Sequence, residues 1–361
     1  MSSVTGKRIK ASIFGESHGN AIGVVIDGLP AGEKIDFDAL RFFLRRRTPG
    51  RMAINTPRRE NDTPELLSGI INDVTTGAPL CAIIHNEDTR LADYAVFRNV
   101  PRPSHADYGA LLRYHDYNDI RGGGHFSGRL TAPLCIAGGI TLQILSRRGI
   151  TVGAHIASIG SVHDICFDPV EIDANQLSGI ARKSIPVLDD NAGSAMVGAI
   201  EAVCDAGDSL GGIIECAVLG YPAGIGTPMF DGLENRLASL IFGIPAVRGI
   251  EFGAGFASAN MNGSTHNDEY TIIDEIIRTK TNNHGGIIGG ISTGMPIILR
   301  AAIKPTPSIG REQKSISISQ GENTSLKITG RHDPCIVPRA VPCIEAAVGL
   351  VLLDMLLCEH E

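Results

Sequence analysis

Residues Gly15-Glu16-Ser17-His18-Gly19 place a carboxylate, a hydroxyl and an imidazole between two glycines close to the N-terminus. The preceding stretch, 7–14, carries apolar residues on alternate positions and is predicted to be a strand that ends in this loop. The next apolar stretch, Ala21–Asp27, is predicted to be a second strand. A strand, a loop and a strand in succession do not follow the strand–helix alternation of a Rossmann fold, which is therefore disfavoured.

The same five residues also match the Gly-x-Ser-x-Gly nucleophile elbow of serine hydrolases, with Ser17 as the nucleophile. An elbow requires a helix directly after the serine, whereas residues 20–26 are rich in β-branched side chains and interrupted by a glycine. The loop also comes early, because an α/β-hydrolase completes several strands before its serine. A serine hydrolase is therefore disfavoured, although labelling of Ser17 by a fluorophosphonate probe would support that hypothesis again.

Periodicity and capping residues predict a mixture of helices and strands along the rest of the chain. Asp36 is predicted to cap a helix that runs through Arg46, and Ser104 is predicted to cap a short helix. Leu80–His85 is predicted to be a strand. The other predicted helices cover about 131–147, 191–206, 231–243 and 338–358, and the other predicted strands about 211–219, 296–303 and 314–319. This mixture predicts an α+β fold.

The chain of 361 residues is long enough for one large domain, and the absence of a linker or repeat favours a single domain over residues 1–361. Its net charge of −7 argues against a nucleic-acid partner. The eight cysteines lack regular spacing and no secretory signal is evident, so a cytoplasmic location is expected. The apolar stretch 340–358 contains Glu345 and Asp354, which predicts a core helix and no membrane partner.

Positive charge is concentrated between residues 41 and 60, which include seven arginines and one acid. In an acidic chain this cluster suggests an anionic small ligand, whereas the alternative is a solvated helix face. Pro49-Gly50 breaks the run and places several arginines on a loop, where the helix-face explanation is weaker. The segment is also our first candidate for a lid that closes over a ligand.

Three successive glycines follow Arg121 and allow the backbone to press against a flat or phosphorylated ligand, although on their own they would favour a flexible turn. Their neighbours His125, Ser127 and Arg129 are all able to hold an anion. There is no Gly-x-x-x-x-Gly-Lys-Ser/Thr loop, and no histidine pattern typical of a metal site, so neither a P-loop nor a metal is expected.

Three histidines, His18, His105 and His332, lie in polar, turn-rich segments, each within two residues of an acid. A single loop histidine usually has a structural role. Three in such settings, two of them near an arginine, suggest proton transfer beside an anion.

Together these segments resemble the chorismate synthase family. The resemblance is carried by an ordered series of motifs at 14–19, 27–30, 45–50, 58–60, 75–77, 93–94, 102–107, 121–124, 285–292, 304–306 and 330–335. It implies a lyase that converts 5-enolpyruvylshikimate 3-phosphate to chorismate and phosphate by an anti-1,4-elimination in the shikimate pathway. It also implies reduced FMN without net redox change, NADPH as a candidate reductant with Arg47 as its contact, and a homotetramer. The implied fold is a β-α-β sandwich of antiparallel sheets enclosing helices.

The resemblance also implies roles for individual residues. His18 is placed near the substrate phosphate, His105 near the flavin ring, and Asp333 acts as a base through flavin N5. The implied substrate-binding residues are Ser17, Arg47, Arg102, Ser127, Arg129 and Arg331. The implied FMN-binding residues are His125, Phe126, Ser127, Ala246, Gly289, Lys304, Pro305, Thr306, Pro307, Ser308 and Arg331.

The chain departs from the family pattern at several ligand positions. His125-Phe126 replaces a polar pair, Pro307 stands where serine is usual, and Pro245 where asparagine is usual. Ala53 stands where a second arginine is usual, and Arg51 is the nearest substitute. A third hypothesis, a non-catalytic protein that binds an anion or a flavin, is opposed by the presence of His18, His105 and Asp333.

Overall fold

The computed structural model describes residues 3–48, 62–87, 96–328 and 333–359. The helices in these ranges are α1 (Phe37–Arg47), α2 (Asp107–Tyr114), α3 (Thr131–Arg147), α4 (Ala174–Arg182), α5 (Asp190–Asp205), α6 (Leu233–Phe242), α7 (Gly263–His266) and α8 (Val337–Cys358). The strands are β1 (Val4–Thr5), β2 (Lys10–Gly15), β3 (Ala21–Asp27), β4 (Glu65–Ser68), β5 (Ile70–Ile71), β6 (Val74–Thr75), β7 (Leu80–His85), β8 (Thr151–Ile159), β9 (Val162–His163), β10 (Gly212–Leu219), β11 (Val247–Phe252), β12 (Tyr270–Ile273), β13 (Ile276–Thr279), β14 (Ile287–Ile288), β15 (Ile291–Ser292), β16 (Ile297–Ile303), β17 (Glu312–Ser317) and β18 (Glu322–Lys327).

Two five-stranded antiparallel sheets form the outer layers of a sandwich. The first has the strand order β1-β2-β3-β7-β4 and the second the order β11-β16-β10-β8-β9. Helices α3 and α8 pack together between them, with α3 against the first sheet and α8 against β8 and β10 of the second. The predicted α+β sandwich, with antiparallel sheets enclosing helices, is therefore confirmed.

Close contact between α3 and α8 depends on Gly138, because a Cβ at this position would lie 2.2 Å from the Cβ of Ala346. By length and composition alone the segments Gly128–Arg147 and Val337–Cys358 could each cross a membrane. Their most apolar windows are 83% and 89% buried inside the protein, so the core helix predicted for 340–358 is confirmed.

The two acids in α8 are satisfied inside this core. Glu345 accepts two hydrogen bonds from Arg46, at 2.5 and 2.8 Å, and one from the backbone of Ala154. Asp354 accepts from the backbone N–H groups of residues 7–9 and from Arg236. Because these three N–H groups bond to Asp354, the strand predicted over 7–14 begins only at Lys10.

His155, in β8, is another titratable group of the core, and it is fully buried. Its Nδ1 lies 3.1 Å from Asp164 and its Nε2 lies 3.0 Å from Glu215. Burial alone disfavours the charged imidazole, but the hydrogen bonds to Asp164 and Glu215 outweigh it and raise the pKa of His155.

Several predicted elements match the structure and one cap does not. Strands β3 and β7 have the predicted bounds, and Asp36 caps α1 by accepting from the N–H groups of Asp38 and Ala39. The prediction that Ser104 caps a helix is wrong: Ser104 has a left-handed φ of 57°, and α2 begins at Asp107 with Ala106 as its N-cap. Sequence patterns missed β8, because most of its residues are buried and no polar alternation results.

Candidate active site

The triple glycine lies between two of the predicted histidines. Gly122, Gly123 and Gly124 have φ values of 59°, 86° and 54°, which favour glycine. A Cβ on Gly122 would lie 2.2 Å from His18 Nδ1, and a Cβ on Gly123 would lie 3.1 Å from His105 Nε2. The loop therefore brings together motifs that are 87 residues apart, and any side chain at Gly122 would collide with an imidazole.

The loop that carries His18 is fixed from several sides. Ser17 is fully buried, and its backbone N–H donates to Gly124 O at 3.1 Å. His18 Nδ1 lies 3.2 Å from Ser17 Oγ. The segment after this loop is the strand β3, so the helix that a nucleophile elbow requires does not follow Ser17.

His105 belongs to a tightly bonded cluster with Arg102 and Asp107. Arg102 donates Nε to Asp107 Oδ2 and Nη2 to Asp107 Oδ1, both at 2.8 Å. His105 Nδ1 lies 2.6 Å from Asp107 Oδ1. Burial disfavours the ionised carboxyl, but the bonds from Arg102 and His105 hold the pKa of Asp107 well below its usual range. Arg102 lies over the ring of Phe97, so much of its guanidinium is already engaged.

Arg47 and Arg129 are held by one carboxylate that the sequence analysis did not single out. Arg47 donates to Asp62 Oδ2 at 2.6 Å, and Arg129 donates to Asp62 Oδ1. All three side chains are buried. Burial raises the pKa of the Asp62 carboxyl, but the two arginines outweigh this and lower it.

Both arginines also contact neighbouring elements of the site. Arg47 donates to Thr131 Oγ1 at 3.0 Å and to Gly128 O at 3.3 Å. Arg129 donates to Asn86 Oδ1 at 3.1 Å, and Asn86 in turn donates to Gly19 O. The pair is thus connected to the loop that carries His18.

A cavity of about 550 Å³ opens beside His105. Its described lining contains three cations, Arg102, Arg248 and Lys304, and no carboxylate. Burial, together with the nearby Arg248, lowers the pKa of Lys304. The buried hydroxyl of Thr306 finds no hydrogen-bond partner among the described residues, so the cavity offers cations and a spare polar group to an anion.

Most of the predicted FMN-binding residues line this cavity, but not all of them. Those that do are His125, Phe126, Ser127, Ala246, Lys304, Thr306, Pro307 and Ser308. Pro305 is outside the lining, and Gly289 lies in the exposed turn between β14 and β15. Ala246 has a left-handed φ of 78°, an unusual backbone conformation for a residue with a Cβ.

His125, one of the departures from the family pattern, supports the His18 loop. Its Nδ1 lies 2.8 Å from Gly15 O, and its Nε2 lies 2.7 Å from Ser3 Oγ. The imidazole therefore links the triple-glycine loop to β2 while one side of it faces the cavity.

Asp333 precedes Ile336, which lines the cavity, by three residues. Arg339 donates to Asp333 Oδ2, and it also donates Nε to Arg47 O at 3.0 Å. Asp333 Oδ1 is buried without a hydrogen-bond partner among the described residues. The predicted residues Arg331 and His332 lie outside the described residues, as do Arg51, Ala53 and most of the proposed lid.

Comparison with known proteins decides the family. A sequence model described as "Chorismate synthase" matches residues 9–357. A chorismate synthase from Dehalococcoides mccartyi is 46% identical over 357 residues, covering 99% of this chain and 97% of that protein. The chain belongs to the chorismate synthase family. A chorismate synthase from Thermococcus kodakarensis is 44% identical and covers 98% of this chain and 97% of its own. A solved structure described as "Crystal Structure of Chorismate Synthase" has a TM-score of 0.76 at 26% identity, covering 98% of this chain and 93% of that one.

The sequence did not point to four charged residues of this candidate site. Asp62 and Asp107 hold three of the predicted arginines, Arg339 holds Asp333, and Arg248 lines the cavity. Asp107 ends the motif at 102–107 and Asp62 lies two residues after the arginine-rich segment 41–60, so both had a local signal. Arg248 and Arg339 lie outside the motifs that carried the sequence predictions, although Arg339 pairs with Asp333 only six residues before it.

Proposed function

We propose that the protein eliminates phosphate from 5-enolpyruvylshikimate 3-phosphate to give chorismate, with reduced FMN and no net redox change. Family membership over residues 9–357 supports this lyase activity in the shikimate pathway. The observation that carries the proposal is the cavity. In a chain with a net charge of −7, its described lining contains cations and imidazoles and no carboxylate.

The residues around the cavity suit a flavin mononucleotide. The left-handed glycine loop borders the cavity at Gly122 without a side chain, so its backbone can closely approach a flat ring. Lys304, Arg248 and the unpartnered Thr306 hydroxyl suit the phosphate tail. When bound, reduced FMN supplies electron density as the phosphate leaves the substrate.

The substrate carries two carboxylates and a phosphate, and we assign their recognition to the buried arginines. Arg47 and Arg129 present fixed guanidinium groups because Asp62 holds both. We assign the same role to Arg102 and to Arg331, which lies outside the described residues. Ser17 and Ser127 are hydrogen-bond donors to the ligands.

We assign proton transfer to three groups: His18, Asp333 and His105, which would be the proton partner of a bound reduced flavin. We assign to His18 the donation of a proton to the departing phosphate, because its imidazole lies against the glycine loop that borders the cavity. We assign to Asp333 the acceptance of the proton that leaves the substrate ring. Its Oδ1 atom is buried and unpartnered among the described residues, while Arg339 holds Oδ2.

We also propose a homotetramer. The hairpin of β12 and β13 leaves large apolar side chains uncovered, with exposures of 68% for Tyr270, 73% for Ile272 and 67% for Ile277. Light scattering coupled to size exclusion tests the assembly. A single domain over 1–361, a cytoplasmic location, the absence of nucleic-acid and membrane partners, and NADPH as reductant with Arg47 as its contact remain predictions.

The activity is tested by phosphate release from 5-enolpyruvylshikimate 3-phosphate under anaerobic conditions. We expect release with reduced FMN and none with oxidised FMN or without flavin. Equal release in the absence of flavin would contradict the proposal.

The flavin site has a test that does not require turnover. Lys304→Ala and Arg248→Ala should each weaken FMN binding about 10- to 100-fold, the range for one hydrogen bond to a charged group. Riboflavin, which lacks the phosphate, should bind the variants and the wild-type protein equally. If the variants lost affinity equally for FMN and for riboflavin, the FMN phosphate would not contact Lys304 or Arg248.

A further inference from the structure

Asp107 accepts four hydrogen bonds at its two carboxylate oxygens. Oδ2 accepts from the backbone N–H of Arg102 at 3.0 Å and from its Nε at 2.8 Å. Oδ1 accepts from Arg102 Nη2 at 2.8 Å and lies 2.6 Å from His105 Nδ1. The side chain is 5% exposed and stands at the first position of α2, where the helix dipole favours an anion. An ionised carboxylate can only accept, so every one of these neighbours must be a donor.

This arrangement fixes the proton on one nitrogen of His105. Nδ1 also lies 3.1 Å from Arg102 Nη2, but a bare Nδ1 would face the carboxylate with no proton between them. The shorter contact is the one to the anion. Nδ1 therefore carries a proton that it donates to Asp107, and Nε2 is the nitrogen left to face Gly123.

We propose that Asp107 is a positioning residue that holds the His105 proton on Nδ1 and so presents Nε2 to the cavity as the atom that exchanges protons. The exchange of protons with a bound ligand rests on the proposed function, whereas the position of the proton on Nδ1 does not. The other charged and titratable groups near His105 are cations or imidazoles: Arg102, Lys304 (which donates to Ser104 O), Arg248 and His125. Among the described residues around this part of the cavity, Asp107 is thus the anion that can select the tautomer.

Asp107→Asn is the direct test, because an amide offers one acceptor oxygen and one NH₂ group. In the wild-type protein Arg102 uses both carboxylate oxygens as acceptors, and His105 shares Oδ1 with Arg102 Nη2. If the amide oxygen stays with Arg102 Nε, the NH₂ group faces His105 and forces Nδ1 to accept. We therefore expect the neutral His105 to change from the Nδ1–H to the Nε2–H tautomer.

The tautomer can be measured by long-range ¹H–¹⁵N correlation in the full-length ligand-free protein labelled with ¹⁵N-histidine. The His105 signals are assigned by their loss in His105→Gln. We expect Nδ1–H in the wild-type protein and in Asp107→Glu, and Nε2–H in Asp107→Asn. Phe97→Leu is the matched control, since it removes the ring under Arg102 and leaves the carboxylate in place.

In the turnover assay, Asp107→Asn should lower kcat by about 10²- to 10⁴-fold, as expected when a general acid–base presents the wrong nitrogen, with KM changed much less. Nε2–H in the neutral wild-type protein would overturn the inference even if Asp107→Asn failed to fold. An unchanged tautomer or an unchanged kcat in a folded Asp107→Asn would also overturn it. If the wild-type protein eliminated no phosphate, the proposed function would fail, and the tautomer would still decide the role of Asp107.

Discussion

Substitution of Gly122 by alanine tests whether the glycine loop positions His18. The new Cβ would lie 2.2 Å from His18 Nδ1, 2.3 Å from Cε1 and 2.7 Å from Ser17 Oγ. An ordinary contact is about 3.4 Å, so the imidazole must move by about 1 Å. A displacement of that size at a reacting group costs about 10²-fold in rate.

Backbone strain has to be separated from this collision. The φ of 59° at Gly122 costs an alanine about 1–2 kcal/mol. Gly32 is a matched control, because its φ of 88° imposes a similar cost and a Cβ there would meet nothing within 4 Å. Gly32→Ala should therefore lose about 1–2 kcal/mol of unfolding free energy and keep its activity.

The assay is anaerobic phosphate release with reduced FMN, alongside denaturant unfolding of both variants. We expect kcat to fall about 10²-fold in Gly122→Ala and to stay within about twofold in Gly32→Ala. A folded Gly122→Ala with a rate within threefold of wild type, on the order of 0.6 kcal/mol in barrier, would refute the assigned position of His18.

Two further predictions concern buried charges. Asp62→Asn leaves Arg47 and Arg129 without their carboxylate and should lower the free energy of unfolding by about 3–5 kcal/mol. Asp231→Asn is the control, because Asp231 is exposed, and it should lower the free energy of unfolding by less than about 1 kcal/mol. The raised pKa of His155 stabilises the fold fully below its unfolded pKa of about 6.5, and this contribution is lost as the pH rises through the higher folded pKa. His155→Gln should therefore have a much lower free energy of unfolding than wild type at pH 6, and this difference should narrow towards pH 9. Denaturant unfolding at both pH values measures it. A difference that stays constant with pH would show that the imidazole is buried uncharged.

Local patterns predicted much of the fold. The strand over Ala21–Asp27 and the cap at Asp36 depend only on near neighbours, and the structure has both. Ser104 failed as a cap because the 102–107 loop is closed by Asp107, which accepts from the backbone of Arg102 and leaves Ser104 in a left-handed conformation. β8 was missed because a strand buried on both faces has no polar period.

The sequence predicted which residue types form the candidate site, but not how those residues pair with one another. The arginines and histidines were identified from their segments, but a list of cations does not show which of them have a counter-ion. Arg102 engages Asp107 five residues away, whereas Arg129 reaches Asp62 across 67 residues. Pairings of the second kind depend on how the layers meet, which no local pattern encodes.

The sequence by itself determined the family, the order of the motifs and the cationic residue types that suit an anionic ligand. The tertiary structure alone decided that Gly122 and Gly123 lie against His18 and His105, and that Asp62 joins Arg47 to Arg129. The physical reason is the distance along the chain over which each interaction acts. Strand alternation and helix caps arise from contacts a few residues apart, whereas charge pairing and the proton on His105 are set by groups that only the packed chain brings within hydrogen-bonding distance.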